Sequence, residues 1–269
     1  MIPSPRRRGA STVTAALLVS TMLGGCVDGR TDARAAQLVD EVRALPHVVS
    51  ASGGAGGQYG VVLSVTVQVE PEVTEAQLDE VRRRVVARLD ESPWNDIDVG
   101  FELGDGDEFS NLGGDATFAV FAAMWRDPAS TAVQARGSEG YSIYDVTRGD
   151  LASAGGPIGL LDATRRMVSA AQTAGGVQEN LTFGAYTDGR WFSVERSYVD
   201  PVDDAVALWR QLDGVVPLVG AAARATEYSG QTLELDVADE GAADVLRRWL
   251  DGLPHDGIGV EVEVVPPSE

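Results

Sequence analysis

Val61-Val62-Leu63-Ser64-Val65-Thr66-Val67-Gln68-Val69-Glu70 is the stretch from which the fold is read. Valine or leucine fills every odd position, and from Ser64 onward a polar residue fills every even one. This is the period of a strand with one buried and one wet face, as in an antiparallel sheet covered on one side. Directly after it, Thr74 precedes Leu78, Val81, Val85 and Leu89 at helical spacing, and Pro93 ends the helix they predict. On the N-terminal side, Asp32 precedes Ala35, Leu38, Val39, Val42 and Leu45, an earlier helix that stops at Pro46. A strand follows near Val48 to Ser52, and the glycines from Gly53 to Gly57 read as its connection to the opening stretch. No Gly-Lys-Ser or Gly-Lys-Thr follows those glycines, so they are not a phosphate cradle. Ile97, Val99, Phe101 and Leu103 then complete the order helix, strand, strand, helix, strand.

That order recurs. A helix through Phe118, Phe121 and Trp125 leads to strands near Thr131 to Arg136 and Tyr141 to Thr147. Another helix begins at Gly155-Gly156-Pro157 and is followed by a strand through Leu181, Phe183 and Ala185. Asp188-Gly189 is a hairpin signal, so Arg190 to Arg196 returns as an additional strand. The third pass runs from a helix through Trp209 to a strand at Val260, Val262 and Val264. The expected fold class is α+β: two or three tandem α-β-β-α-β (ferredoxin-like) modules with antiparallel sheets covered by helices on one face. The expected division is 33–104 for the first module, 105–114 for an acidic glycine-rich link, 115–189 for the second, 190–266 for the third and 267–269 for a tail. Taken with the additional strand, the third has the strand-helix-strand-strand-helix-strand order of a ferredoxin-like sandwich. These units are similar to the small modules of bacterial envelope proteins such as BON domains, and that similarity implies fold alone.

The chain opens with Arg6-Arg7-Arg8, an apolar run through Leu17-Leu18-Val19, and Leu23-Gly24-Gly25-Cys26, with Cys26 its sole cysteine. A positive leader, a short apolar run and small residues before a cut site make an export signal, too short for a permanent span of about 20 residues. Leu23-Gly24-Gly25-Cys26 resembles the lipobox of bacterial lipoproteins. The resemblance implies cleavage between Gly25 and Cys26, removal of residues 1–25, acylation of Cys26 and a stem over 26–32. Two acyl chains anchor stably where one is marginal. The expected partners are therefore the membrane, through the N-terminal lipid, and an envelope protein.

Net charge is −20, every basic side chain is arginine, and lysine is absent. Such a surface repels phosphate backbones and anionic headgroups, which argues against nucleic acid and a polybasic membrane contact. The arginine, alanine, glycine and valine bias suits a GC-rich coding sequence. The expected place is the outer face of the cytoplasmic membrane of a high-GC Gram-positive bacterium. One cysteine leaves no intramolecular disulfide. No Gly-x-Ser-x-Gly, His-x-x-x-His or Ser-x-x-Lys spacing occurs, and no cofactor is expected.

Asp105 and Asp107 begin like a calcium loop, but Ser110 and Ala116 stand where that loop needs glycine and a bidentate acid, so a solvated link is the better account. Alternation sets Glu195, Glu234, Asp236, Glu261 and Glu263 on outer strand faces, with Glu195 on a strand expected between the other two. Such a face suits a cation or a basic partner, and Trp191, turned away from Phe192 and Val194, is the aromatic placed for surface binding. The expected function is a membrane-anchored, non-enzymatic binding or scaffolding role in the cell envelope, with the ligand open. The alternatives are an extracytoplasmic hydrolase using paired carboxylates and a divalent-cation-binding module.

Overall fold

The computed structural model describes residues 29–265 apart from 57–61, 93, 95, 105, 111–113, 139–140, 176–180 and 227–229. The stretch expected to be an export signal, Cys26 and Asp105 lie outside the described residues. Helix α1 (Gly29–Arg43) leads into the hairpin β1 (Val48–Gly56) and β2 (Val62–Val69), in which β1 runs on through Gly53 to Gly56 against β2. Helix α2 (Glu75–Asp90) is started by a capping box: Gln77 N–H donates to the Thr74 hydroxyl while Thr74 N–H donates to the Gln77 side chain. The chain continues as β3 (Asp96–Gly104), β4 (Asp107–Ser110), α3 (Gly114–Trp125), β5 (Ser130–Ser138), β6 (Tyr141–Arg148), α4 (Gly156–Thr173), β7 (Leu181–Thr187) and β8 (Phe192–Ser197). It ends with α5 (Asp203–Leu212), β9 (Leu218–Thr226), β10 (Gly230–Val237), α6 (Glu240–Leu250) and β11 (Ile258–Val264).

All of these strands form one 11-stranded sheet in which every strand lies beside its sequence neighbours. Hairpins (antiparallel β1/β2, β3/β4, β5/β6, β7/β8, β9/β10) alternate with helical crossovers (parallel β2/β3, β4/β5, β6/β7, β8/β9, β10/β11). The expectation of separate antiparallel, ferredoxin-like sheets is thereby overturned. In a ferredoxin-like unit each crossover skips a strand position; here each helix returns the chain to the adjacent position, and the pair it creates is parallel.

The physical reason lies in the segment expected to be a solvated link. Gly104 and Gly106, at φ +90° and +88°, turn the chain sharply so that β4 pairs back along β3. The burial of Phe109 then holds β4 in place: it is 1% exposed and stacks on Phe101 at 4.6 Å, with Phe121 at 4.8 Å and Phe118 at 5.6 Å. β4 pairs on its other side with β5, which joins the first helix-strand cycle to the second. β8 makes the same junction between β7 and β9.

A single register line runs through the buried face: Val67, Phe101, Phe109, Ala135, Tyr144 and Phe183 are successive cross-strand partners. Two residues along β7 a second, offset line on the same face runs through Ala185, Val194, Ala223, Leu233 and Val260. The helices cover that face, and its side chains form one continuous core. The strands that enter successive crossovers run in opposite directions while the helices stay on one side, so successive crossovers alternate in hand, against the usual right-handed preference. At about 4.8 Å per strand the opposite face is roughly 50 Å wide, and no helix among the described residues covers it. No described helix is long and apolar enough to cross a membrane.

Candidate functional site on the uncovered sheet face

Alternation places one row of side chains from each strand on the uncovered face. From β3 to β5 these include Asp96, Asp98, Glu102 and Glu108, with Arg136 paired to Glu108. A shallow groove of about 220 Å³ runs here between Ser64, Asp98, Glu108 and Arg136. From β6 to β11 the row holds Asp145, Glu195, Glu234, Asp236, Glu261 and Glu263, against Arg190 and Arg224. The acids therefore dominate the length of the face.

The structure brings some of the expected residues together and separates others. Glu234 and Asp236 lie beside Glu261 and Glu263 as direct cross-strand partners on β10 and β11. Glu195 does not sit between them: β8 is separated from β10 by β9, and Arg224 of β9 fills the gap. Arg224 donates to Glu195 at 3.3 Å and to Glu234 at 2.7 Å. Burial works against its charge, but these two carboxylates outweigh that and raise its pKa. The Ala-rich run of β9 (Ala221, Ala222, Ala223, Ala225) shows no polar alternation, so nothing in its sequence marks Arg224 as the bridging cation.

Sequence reasoning also missed Asp145, Tyr186 and Arg190. Asp145 and Glu195 both pair in register with Gly184, one from each side. A Cβ on Gly184 would run into the Tyr186 ring and hydroxyl, so the missing side chain lets Tyr186 lie flat across the strand. The Arg190 guanidinium stacks over that ring at 4.3 Å and reaches Asp145 at 3.5 Å. Arg190 holds a left-handed φ of 60° in the turn Asp188–Arg190, a strained conformation for a residue with a side chain. The Asp188-Gly189 signal located this turn, but not where Arg190 would point.

Asp145 has a side chain only 16% exposed, and its Oδ1 is buried with no hydrogen-bond partner among the described residues. Burial raises its pKa, and Glu195 raises it further, with Arg190 opposing both. Tyr186 is pushed up by burial and by the same two acids, so its hydroxyl keeps its proton. Asp236 is raised by burial and then by Glu234. It lies against Gly220, where a Cβ would approach its Oδ2 to 2.6 Å and the Trp191 carbonyl oxygen to 2.9 Å. Trp191, expected at the surface, is 60% exposed at the edge of this patch.

Chemically, the patch offers acceptors crowded enough that protonation or a cation relieves them. A carboxyl whose pKa burial raises, as at Asp145, is one of the two groups that a carboxylate hydrolase would need, and Glu195 stands across Gly184 from it. Asp107 accepts from Val133 N–H at 2.8 Å, which commits it to the β4/β5 junction. Among the described residues no group of three or more His, Cys, Asp or Glu side chains is arranged to hold a metal ion. No protein-family model, curated protein or solved structure matches this chain.

Proposed function

We propose that this chain is a lipid-anchored, extracytoplasmic, non-enzymatic binding protein of a bacterial cell envelope, and that it holds a basic partner against the uncovered face of its sheet. Support for the anchor comes from the sequence, Arg6-Arg7-Arg8 through Cys26. Support for binding rests on one observation, the breadth of a sheet face whose acids are opposed by Arg136, Arg190 and Arg224 alone among its charged residues named above. Complementary charge steers and registers a partner. A face made of short alternating side chains accepts an extended basic segment or a basic helix laid across the strands.

Two measurements test this. Cys26→Ser should abolish acylation and release the protein from the membrane fraction; retention there with cleavage after Gly25 would contradict anchorage. Glu261→Arg with Glu263→Arg, both on the sheet's last strand, should abolish crosslinking of an oligoarginine peptide to the purified chain. Undiminished crosslinking would contradict the placement of the binding face.

A further inference from the structure

On the helical side of the sheet, an open cleft of about 560 Å³ is lined by Arg148, Asp162, Arg165, Arg166 and Ser169. Arg148 stands at the end of β6 and is 7% exposed, while Arg166 and Ser169 come from one flank of α4. Arginines gathered at a cleft are notable in a chain of net charge −20.

The ion pairing around Arg148 is incomplete. Its acid is Asp127, at 3.3 Å from Nη1, and Asp127 is shared with Arg166 and with the Ala129 N–H at 3.0 Å. The Nε and Nη1 atoms of Arg148 are buried with no hydrogen-bond acceptor among the described residues. Asp127 is thus shared by two guanidiniums, with Asp162 acting on Arg148 from farther off, and Arg148 and Asp127 are both nearly dry. Burial lowers the pKa of Arg148, with Asp127 and Asp162 opposing and Arg166 adding to the effect. Arg165 is engaged with Asp203 and Asp162, all three largely open to solvent, so this trio adds little local field. Buried N–H donors without an acceptor are unfavourable in a nearly dry site, and an anion beside the guanidinium offsets part of that cost.

We propose that the Arg148–Arg166 cleft binds a compact oxyanion of the phosphate class, independently of the acidic face. The planar guanidinium fork matches phosphate oxygens, and Ser169 adds a hydroxyl donor. The same chemistry is presented by free phosphate and by the phosphate of an anionic lipid headgroup, the latter within reach of an anchored protein.

The test uses the purified chain at low ionic strength, with inorganic phosphate compared against chloride at matched ionic strength. Calorimetry should show saturable phosphate binding, and the melting temperature should rise with phosphate but not with chloride. Arg166→Gln, at a half-exposed position, should weaken binding by about tenfold or more while the chain still folds. Arg165→Gln should change it far less. Vesicles containing anionic phospholipid form the second arm: binding that needs Arg166 there but not with free phosphate identifies the headgroup as the source. Equal melting temperatures in phosphate and chloride, with no Arg166-dependent vesicle binding, would overturn the proposal. Equal loss in both variants would do so too, because it marks diffuse attraction and an adventitious ion only.

Discussion

Phe109→Ala separates the one-sheet architecture from a chain of modules. The side chain is fully buried between Phe101, Phe118 and Phe121. Removing a buried phenyl group costs about 3–5 kcal/mol from lost transfer energy and the cavity left behind. The ring contacts, each worth roughly 0.5–1.5 kcal/mol beyond area, put this site in the upper part of that range. For a chain of this size about 1 kcal/mol lowers the melting temperature by roughly 2–4 °C, so the variant should melt about 8–20 °C below the parent. Urea and thermal unfolding of residues 27–269, followed by circular dichroism, measure both quantities. Phe109→Leu, which keeps most of the volume, should lose less than about 1.5 kcal/mol. A loss below about 0.5 kcal/mol for Phe109→Ala is the value of a substitution in a solvated link, and it would refute the junction role of β4.

Asp145 has its pKa raised on folding, so its contribution is complete below the ordinary carboxyl value and is lost as pH rises through the folded value. Asp145→Asn should therefore be more stable than the parent at neutral pH, and the difference should vanish in acid; urea titrations across pH measure it, and a variant less stable at neutral pH contradicts the burial argument. Arg224→Gln removes the cation between Glu195 and Glu234, a partly exposed pair of contacts worth about 1 kcal/mol together. The loss should shrink in high salt, and oligoarginine should bind the variant more tightly. Thr74→Ala deletes the capping box of α2 and should destabilise by about 1 kcal/mol, read by chemical denaturation.

What was legible in the sequence was local. The Val62–Val69 alternation, the Thr74 cap and the Asp188-Gly189 turn each write their structure into neighbouring residues, although the strand after the turn begins at Phe192 and not at Arg190. The first helix of each pass also recurs, at Gly29, Gly114 and Asp203. Strand pairing is not local. Phe109 sits in a four-residue strand between acids and glycines, too short to show a period, and only its contact with Phe101 and Phe121 reveals a strand. Glu195, Glu234 and Asp236 face outward as their alternation implies, but the ferredoxin-like order, which puts the Glu195 strand between the other two, fails because the α5 crossover sets β9 directly beside β8. Gly184 and Gly220 are weak strand formers by type, and each is where a neighbouring side chain lies close over the strand. Arg148 stands at the end of a strand, and nothing in the neighbouring sequence marks it. Its burial against Asp127 follows from the packing of α3 and α4 around it.

The central claim is that the uncovered acidic face holds a basic partner. Titrating the purified chain with an oligoarginine peptide at low salt, read by tryptophan fluorescence, tests it most directly, because Trp191 is half open at the patch while Trp209 is fully buried. The account predicts a saturable change that weakens with salt, is lost in Trp191→Phe, and falls about tenfold when Glu234→Gln and Asp236→Asn are combined. A change that persists in Trp191→Phe and is indifferent to those two acids would contradict it.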